Sequence, residues 1–288
     1  MSSVAGITPD HDESVEQGYF FRTFRERLAE NLPAQEILTR AHEEVLSSTR
    51  LPMAVEFLAT ELKHTGRLSS GFARLPHYFT PFQTFVVAQA EDERQRLTMP
   101  KALEILEKEA TYKSGTPLPA GLFVYQYETI ARNRLGYDSG LTAVAGDPIY
   151  PAEWRGYIDL IRRQSGVMEF ADLVYLRSEQ YVADVRRRKP GFEPPVPPLF
   201  AAKEGKIAKA SKGRDPLFLF AALQRQLGYP EVPRFKTRED LGGRFEALQN
   251  KVKELESRLR MLEAEQRGTF DPTQFGKPDL FKDDEDKK

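Results

Sequence analysis

Apolar residues separated by three or four positions run through most of this chain, and this spacing is the feature that most limits its fold. The pattern starts at Phe20, Phe24 and Leu28 and returns in later segments, for example at Leu103 and Leu106. An α-helix has 3.6 residues per turn, so residues with this spacing line one helical face. Proline and glycine separate the segments, as they do between short helices. The sequence therefore predicts an all-α protein whose helices pack as antiparallel bundles.

Composition divides the chain into segments, because charged, Pro-rich stretches with few apolar residues do not build a core. The predicted order is a disordered tail at 1–18, a helical bundle at 19–115, a second helical unit at 116–188, a Pro-rich and basic linker at 189–214, a short docking helix and loop at 215–236, a coiled coil at 237–267, and a disordered charged tail at 268–288. Inside the second unit, residues 137–151 hold two glycines and two prolines and are interpreted as a loop. The order of Gly140, Leu141 and Thr142 also suggests that this unit is a degenerate repeat of the first.

The charged residues nearly cancel, with 42 Lys and Arg against 43 Asp and Glu. A net charge of -1 gives no general attraction to nucleic acid or to an acidic membrane. The chain has no Cys, which excludes disulfides, thiolate metal sites and Cys nucleophiles and fits a reducing compartment. No apolar run approaches the ~20 residues that span a bilayer, so we expect no membrane span and a cytoplasmic location.

The region before residue 268 carries the clearest heptad pattern of the chain. Phe245, Val252 and Leu259 fall at position a of the repeat, and leucines fall at every d position. This is the pattern of a two-stranded coiled coil. Lys251 at g would face Glu256 at e of a parallel partner, so the pattern favours a parallel homodimer. The predicted dimerisation residues are Leu241, Phe245, Leu248, Val252, Leu255, Leu259 and Leu262.

The segment from Gly66 to Leu106 combines two apolar helical patterns with a Pro-x-x-Phe corner. Its ordered residues are Gly66, Leu68-Ser69, Gly71-Phe72, Pro76, Phe79, Pro81, Val86-Val87, Ala90-Glu91, Met99, Leu103 and Leu106. This order resembles the cytoplasmic helical domain of the type II secretion system F protein, which type IV pilus platform proteins share. The resemblance covers residues 19–112. Arg94 replaces a family glycine, and the transmembrane helices of the family are missing, so the resemblance implies a detached, soluble relative.

The resemblance also places Glu91 where the family has an acid that resembles a metal ligand. Asp92 and Glu93 follow it, and carboxylate oxygens are the ligands that calcium and magnesium prefer. Glu91 is therefore a candidate metal ligand. A solvated acidic turn is the alternative interpretation.

Basic residues cluster around the Pro-rich stretch. They are Arg186, Arg187, Arg188, Lys189, Lys203, Lys206, Lys209 and Lys212. The lysines stand three apart and would form a basic stripe on a helix, able to contact phosphates or anionic lipid. No aromatic residue interleaves with them in the sequence, which favours a solvated linker or an acidic protein partner over nucleic acid.

No catalytic motif appears in the sequence. The four histidines lack His-Glu-x-x-His spacing, and the glycines do not form a phosphate-binding loop. Acid pairs such as Glu107 and Glu109 are interpreted as surface charges, because a charged surface produces such pairs by default. The sequence predicts no cofactor and no enzyme. An enzyme is the second alternative, which a buried acid cluster or a bound metal around Glu91 would favour.

The predicted function is therefore a dimeric scaffold or adaptor, which the resemblance associates with a type II secretion or pilus-like assembly. Its partners would be a second copy and secretion components, so it would lie at the periphery of the inner membrane. The alternative is a regulatory or nucleic-acid-associated dimer that contacts phosphates through residues 186–214.

Overall fold

The structure, a computed structural model, describes residues 11–44, 49–234, 249, 251–253, 255, 256 and 259. Thirteen α-helices lie between residues 11 and 227, the described residues from 249 to 259 are also helical, and no β-strand occurs in the described part. The prediction of an all-α protein is confirmed for this part. The chain divides into two compact units, residues 1–235 and 236–288. The helices of the first unit are α1 (His11–Ala29), α2 (Ala34–Glu44), α3 (Leu51–Thr65), α4 (Leu68–Arg74), α5 (Pro81–Glu91), α6 (Met99–Lys113), α7 (Pro119–Asn133), α8 (Tyr137–Ala145), α9 (Ala152–Gln164), α10 (Phe170–Leu176), α11 (Glu179–Arg188), α12 (Ala202–Ala210) and α13 (Pro216–Leu227).

Proline occupies the first or second position of five of these helices: α3, α5, α6, α7 and α13. The fixed φ of proline suits a first helical turn, where its missing amide hydrogen removes no helical bond. At α5 the signal is strongest, because Thr80 and Gln83 form a capping box in which each side chain accepts a hydrogen bond from the other residue's backbone amide. These boundaries follow from local sequence.

The predicted disordered tail is wrong for residues 11–18, because α1 begins at His11. Glu13 is buried and accepts two hydrogen bonds from the Arg50 guanidinium. Gln17 donates to the Tyr78 carbonyl at 3.1 Å and accepts from Gln83 at 3.0 Å. Partners distant in sequence therefore satisfy these polar side chains, which an isolated helix would expose to water.

The interpretation as a loop is also wrong for residues 137–145, because Tyr137–Ala145 form α8, whereas residues 146–151 connect α8 to α9. Gly136, with φ of +88°, makes the turn that precedes this helix. Gly140 allows α8 to approach α7 closely, since a Cβ there would lie 2.7 Å from Ile130 Cδ1. The glycine that suggested a loop is required for helix packing instead.

The predicted linker over 189–214 belongs to the first unit. Residues 202–210 of this range form α12, and the segment before α12 is hydrogen-bonded to the end of α10. Leu199 and Phe200 donate backbone hydrogen bonds to the Arg177 carbonyl, at 2.8 and 3.1 Å. The Phe200 ring is 1% exposed and lies edge-on to Trp154 and Tyr157.

One hydrophobic core extends from α1 to the segment after α13, and the predicted boundary between residues 115 and 116 falls inside it. Residues 229–234 fold back on α6 and α7. Asn133 donates to the Pro233 carbonyl at 3.0 Å, and the Tyr229 hydroxyl lies 2.7 Å from a carboxylate oxygen of Glu128.

None of the described helices combines the length and apolar character needed to cross a bilayer. The antiparallel bundle order and the repeat relation stay predictions.

Candidate functional site

Three of the predicted dimerisation residues are helical and lie within the described part of the second unit. Val252 is 48% exposed, Leu255 56% and Leu259 58%. Their spacing of three and four places them on one helical face. The other four, Leu241, Phe245, Leu248 and Leu262, lie outside the described residues. We call the predicted dimerisation residues the seam. The described part of the seam thus presents apolar side chains to solvent in a single chain.

The predicted basic stripe is divided by ion pairs within the first unit. Lys209 donates to Asp184 at 2.7 Å, and Lys212 pairs with Asp172. Both ammonium groups also lie over the Tyr175 ring, at 5.7 and 4.7 Å from its centroid. Two of the four lysines are therefore occupied by intramolecular contacts and are not free to bind phosphate.

The other two lysines of the stripe, Lys203 and Lys206, are exposed on α12.

The cluster from Arg186 to Lys189 forms the end of α11 and its C-terminal cap. Arg186 donates to the Phe192 carbonyl at 2.9 Å, and Arg187 pairs with Asp184 at 3.5 Å. Arg188 and Lys189 line a cleft with Tyr181 and Phe192.

The structure thus places aromatic rings beside the basic cluster, whereas the sequence indicated none. The rings of Tyr175, Tyr181 and Phe192 come from α10, α11 and the Pro-rich segment at 190–198, which only tertiary packing brings together.

Glu91 caps the start of α4. Its carboxylate accepts hydrogen bonds from the Leu68 amide and the Ser69 hydroxyl, and from the Ser69 amide at 3.1 Å. These donors are the free amides of a first helical turn, which a carboxylate satisfies well. Both carboxylate oxygens are therefore occupied by donors, which a cation would have to displace.

No group of three or more acidic or histidine side chains with the geometry of a metal site occurs in the described residues. We therefore assign Glu91 to helix capping, in place of the metal role suggested by the resemblance.

Replacing Glu91 with Ala is expected to lower the free energy of unfolding by about 1–2 kcal/mol, because the α4 amides lose their acceptor. Urea unfolding of Glu91→Ala beside Glu93→Ala measures this, since Glu93 is an exposed neighbouring acid without this contact. Millimolar calcium or magnesium should leave the unfolding temperature of the natural protein unchanged. A rise in that temperature that Glu91→Ala abolishes would restore the metal hypothesis.

A charged cluster lies inside the first unit, where the sequence indicated surface acids. Glu109 on α6 is 0% exposed and Asp147, after α8, is 1% exposed. Lys113 Nζ lies 3.2 Å from Glu109 and 3.0 Å from Asp147. Gln126 on α7 donates to Glu109 at 2.7 Å and accepts from the Tyr150 hydroxyl at 2.7 Å. The cluster joins α6, α7 and the connection between α8 and α9.

Burial and neighbouring charges shift the pKa values of both Glu109 and Lys113 in this cluster. Burial raises the pKa of the Glu109 carboxyl above its ordinary value, and Asp147 adds to the rise although Lys113 opposes it. Burial acts to lower the pKa of Lys113, but the two carboxylates outweigh it and raise that pKa. One oxygen of Glu109, Oε2, has no hydrogen-bond partner among the described residues. The cluster therefore has one cation for two buried carboxyls.

The buried cluster is closed to large substrates, because its side chains are at most 7% exposed. Its role is to hold three helical elements together. A sequence signal was available, since Glu109 follows Ala102 and Leu106 on the apolar face of α6, a position that predicts burial.

Comparisons of the chain with protein-family models, with curated proteins and with solved structures found no match. The resemblance to the secretion F protein therefore stays an interpretation of the residues quoted above.

Proposed function

We propose that this protein is a non-enzymatic dimeric scaffold or adaptor, in which residues 237–267 pair two copies as a parallel coiled coil. The observation that carries the proposal is the exposure of Val252, Leu255 and Leu259 on one helical face. Full burial of an exposed apolar side chain of this size contributes ~1.5–3 kcal/mol, so these half-exposed side chains would each contribute about half of that against a partner. A second copy offers a matching face, because the same positions align in a parallel pair.

The proposed mechanism is bivalent presentation. Pairing the second units places two copies of the first unit in one particle, so a partner with two binding sites meets the second copy at high effective concentration. Avidity then raises the apparent affinity without any new contact. The first unit supplies the binding surface and the seam supplies the valency.

Sedimentation equilibrium of the full chain tests the dimer. The natural protein should be dimeric at tens of micromolar, and the variant Leu255→Asp/Leu259→Asp should dissociate at least ~10-fold more readily because carboxylates cannot be buried in the seam. Lys253→Asp is the matched control, since Lys253 is exposed at position b, outside the seam. A natural protein that stays monomeric at about 100 µM would remove the proposal.

The absence of Cys makes the orientation of the helices directly testable. In a parallel, in-register pair Val252 of one chain faces Val252 of the other chain. Val252→Cys should therefore form an intermolecular disulfide under mild oxidation. Ser257→Cys, at position f away from the seam, should not. Disulfide formation at both positions to the same extent argues against the parallel arrangement.

Association with a type II secretion or pilus-like assembly is proposed from the resemblance alone, with a cytoplasmic location at the periphery of the inner membrane. The test is co-purification from the native host of named secretion components with the tagged full chain. The seam variant serves as the control, because loss of avidity should reduce the yield. If no secretion component is recovered, the proposed association with a secretion or pilus-like assembly is wrong.

The alternative, a regulatory or nucleic-acid-associated dimer, has less support. Its phosphate contacts were expected from residues 186–214, but Lys209 and Lys212 are paired with Asp184 and Asp172. Fewer free cations mean fewer released counterions and a weaker salt-dependent attraction.

A further inference from the structure

A cleft lies between α11 and the Pro-rich segment, and the scaffold proposal gives it no role. We call it the α11 cleft. Its apolar part has a volume of about 310 Å³ and adjoins a basic part of about 470 Å³. Pockets from ~300 Å³ upward bind small groups or a few side chains. The apolar part is lined by Leu176, Tyr181, Val182, Phe192, Val196 and Pro198.

Hydrogen bonds fix the wall of the α11 cleft at both ends. Near its start, the Phe192 amide donates to the Lys189 carbonyl at 3.2 Å and the Phe192 carbonyl accepts from Arg186 at 2.9 Å. Near its end, Leu199 donates to the Arg177 carbonyl at 2.8 Å. A wall held in this way needs little ordering when a ligand binds, which favours affinity.

The apolar part of the cleft has exposed hydrophobic edges. Leu176 is 41% exposed and Val196 is 47% exposed. The Tyr181 ring lies edge-on to Phe192 at 6.4 Å and to Tyr175 at 5.6 Å, so the aromatic groups support one another. An apolar side chain that entered here would remove these edges from water.

The charge of the cleft is positive at one end. Asp184 accepts hydrogen bonds from Lys209 at 2.7 Å, Tyr175 at 2.9 Å and Gln180 at 2.8 Å, and the Lys209 bond is the main cause of lowering its pKa to about 2. The negative charge of Asp184 is therefore already compensated by Lys209. Arg188 and Lys189 line the same part without an ion pair among the described residues. An acidic ligand would complement this end.

We propose that the α11 cleft binds a short acidic peptide segment of a partner protein, with a leucine or phenylalanine in the apolar part and carboxylates against Arg188 and Lys189. This rests on the proposed adaptor function and names the chemistry of its partner. Nucleic acid suits the cleft less well, because the walls of its apolar part are largely aliphatic. In its basic part, Lys209 and Lys212 cover the Tyr175 ring, and the Tyr181 and Phe192 rings are packed edge-on against each other. Aliphatic walls fit a peptide side chain better than a stacked base.

The test is fluorescence polarisation with the full chain and a labelled peptide, Asp-Asp-Leu-Phe-Asp-Glu. Arg188→Glu/Lys189→Glu should weaken binding at least ~10-fold, and Val196→Asp should do the same by placing a carboxylate in the apolar part. Lys203→Glu/Lys206→Glu is the matched control, since it makes the same charge change on α12 outside the cleft. That control should stay within about twofold. Replacing Leu-Phe in the peptide with Ser-Ser should also abolish binding.

The seam variant separates this inference from the dimer proposal. Leu255→Asp/Leu259→Asp should bind the monovalent peptide as the natural protein does, so cleft and seam succeed or fail independently. All variants change exposed residues, and circular dichroism checks their folding. The inference is overturned by absence of saturable binding at about 1 mM peptide, by equal loss in the α12 control, or by tighter binding of a single-stranded oligonucleotide that depends on Arg188 and Lys189.

Discussion

Replacing Lys113 with Met is expected to lower the free energy of unfolding by about 3–5 kcal/mol at neutral pH, because two buried carboxyls lose the one cation that pairs with them among the described residues. Met keeps the length and the apolar stem of the side chain, so the loss of charge dominates. Glu109 and Asp147 would then face each other near Gln126 in a site from which water is excluded. Urea unfolding at pH 7 measures the difference.

The effect of Lys113→Met should depend on pH in a defined direction. The folded-state pKa of Glu109 is already raised by burial and rises further without Lys113. A carboxyl with a raised folded pKa makes the folded state bind protons more readily than the unfolded state. Its favourable contribution is therefore complete below the unfolded pKa, which is near 4.5, and is lost as the pH rises through the folded pKa. The cost of Lys113→Met should be smaller at pH 5 than at pH 7.

A second substitution controls this prediction. Glu109→Gln removes the charge and keeps an oxygen that can accept from Gln126, so Lys113→Met/Glu109→Gln should recover part of the lost stability. The pH dependence of the double variant should also be weaker. A cost below about 1 kcal/mol for Lys113→Met at pH 7, or no recovery in the double variant, would show that the cluster is not held by charge.

Replacing Gly205 with Ala is expected to destabilise the protein by up to about 3 kcal/mol, although alanine is the better helix former. Gly205 lies within α12, and an added Cβ would lie 2.6 Å from the Cβ atoms of both Ser178 and Gln180. Such a separation is too short for carbon atoms, so α12 would have to move away from the start of α11. That movement would also disturb the backbone hydrogen bond from Glu179 to the Phe200 carbonyl.

Gly156 provides a matched control inside α9. An added Cβ at this position meets nothing within 4 Å. Gly156→Ala should therefore stabilise the protein by about 0.5–1 kcal/mol through helix propensity alone. Thermal unfolding of both variants should move in opposite directions. Stabilisation by Gly205→Ala of the same size as by Gly156→Ala would disprove close packing of α12.

The predicted and observed surroundings of the candidate residues differ for one reason: a residue type indicates chemistry but not its neighbours. Glu91 was singled out as a candidate metal ligand, but its neighbours are the α4 amides rather than other metal ligands. Lys209 and Lys212 stand at the spacing of a basic stripe, but Asp184 and Asp172 lie opposite them. The sequence indicated that Glu109 is a surface acid, whereas folding buries it beside Lys113 and Gln126.

The sequence by itself determined the helical class and many helix boundaries, because spacing, proline positions and the Thr80 capping box act over one or two turns. Only the tertiary structure decided which polar residues are buried, as at Glu13, Gln17 and Glu109, because their burial depends on partners that are distant in the chain. It also decided that residues 202–210 form a packed helix rather than a linker. Local pattern controls the conformation of a segment, whereas the desolvation of a polar group is favourable only where folding supplies its partner.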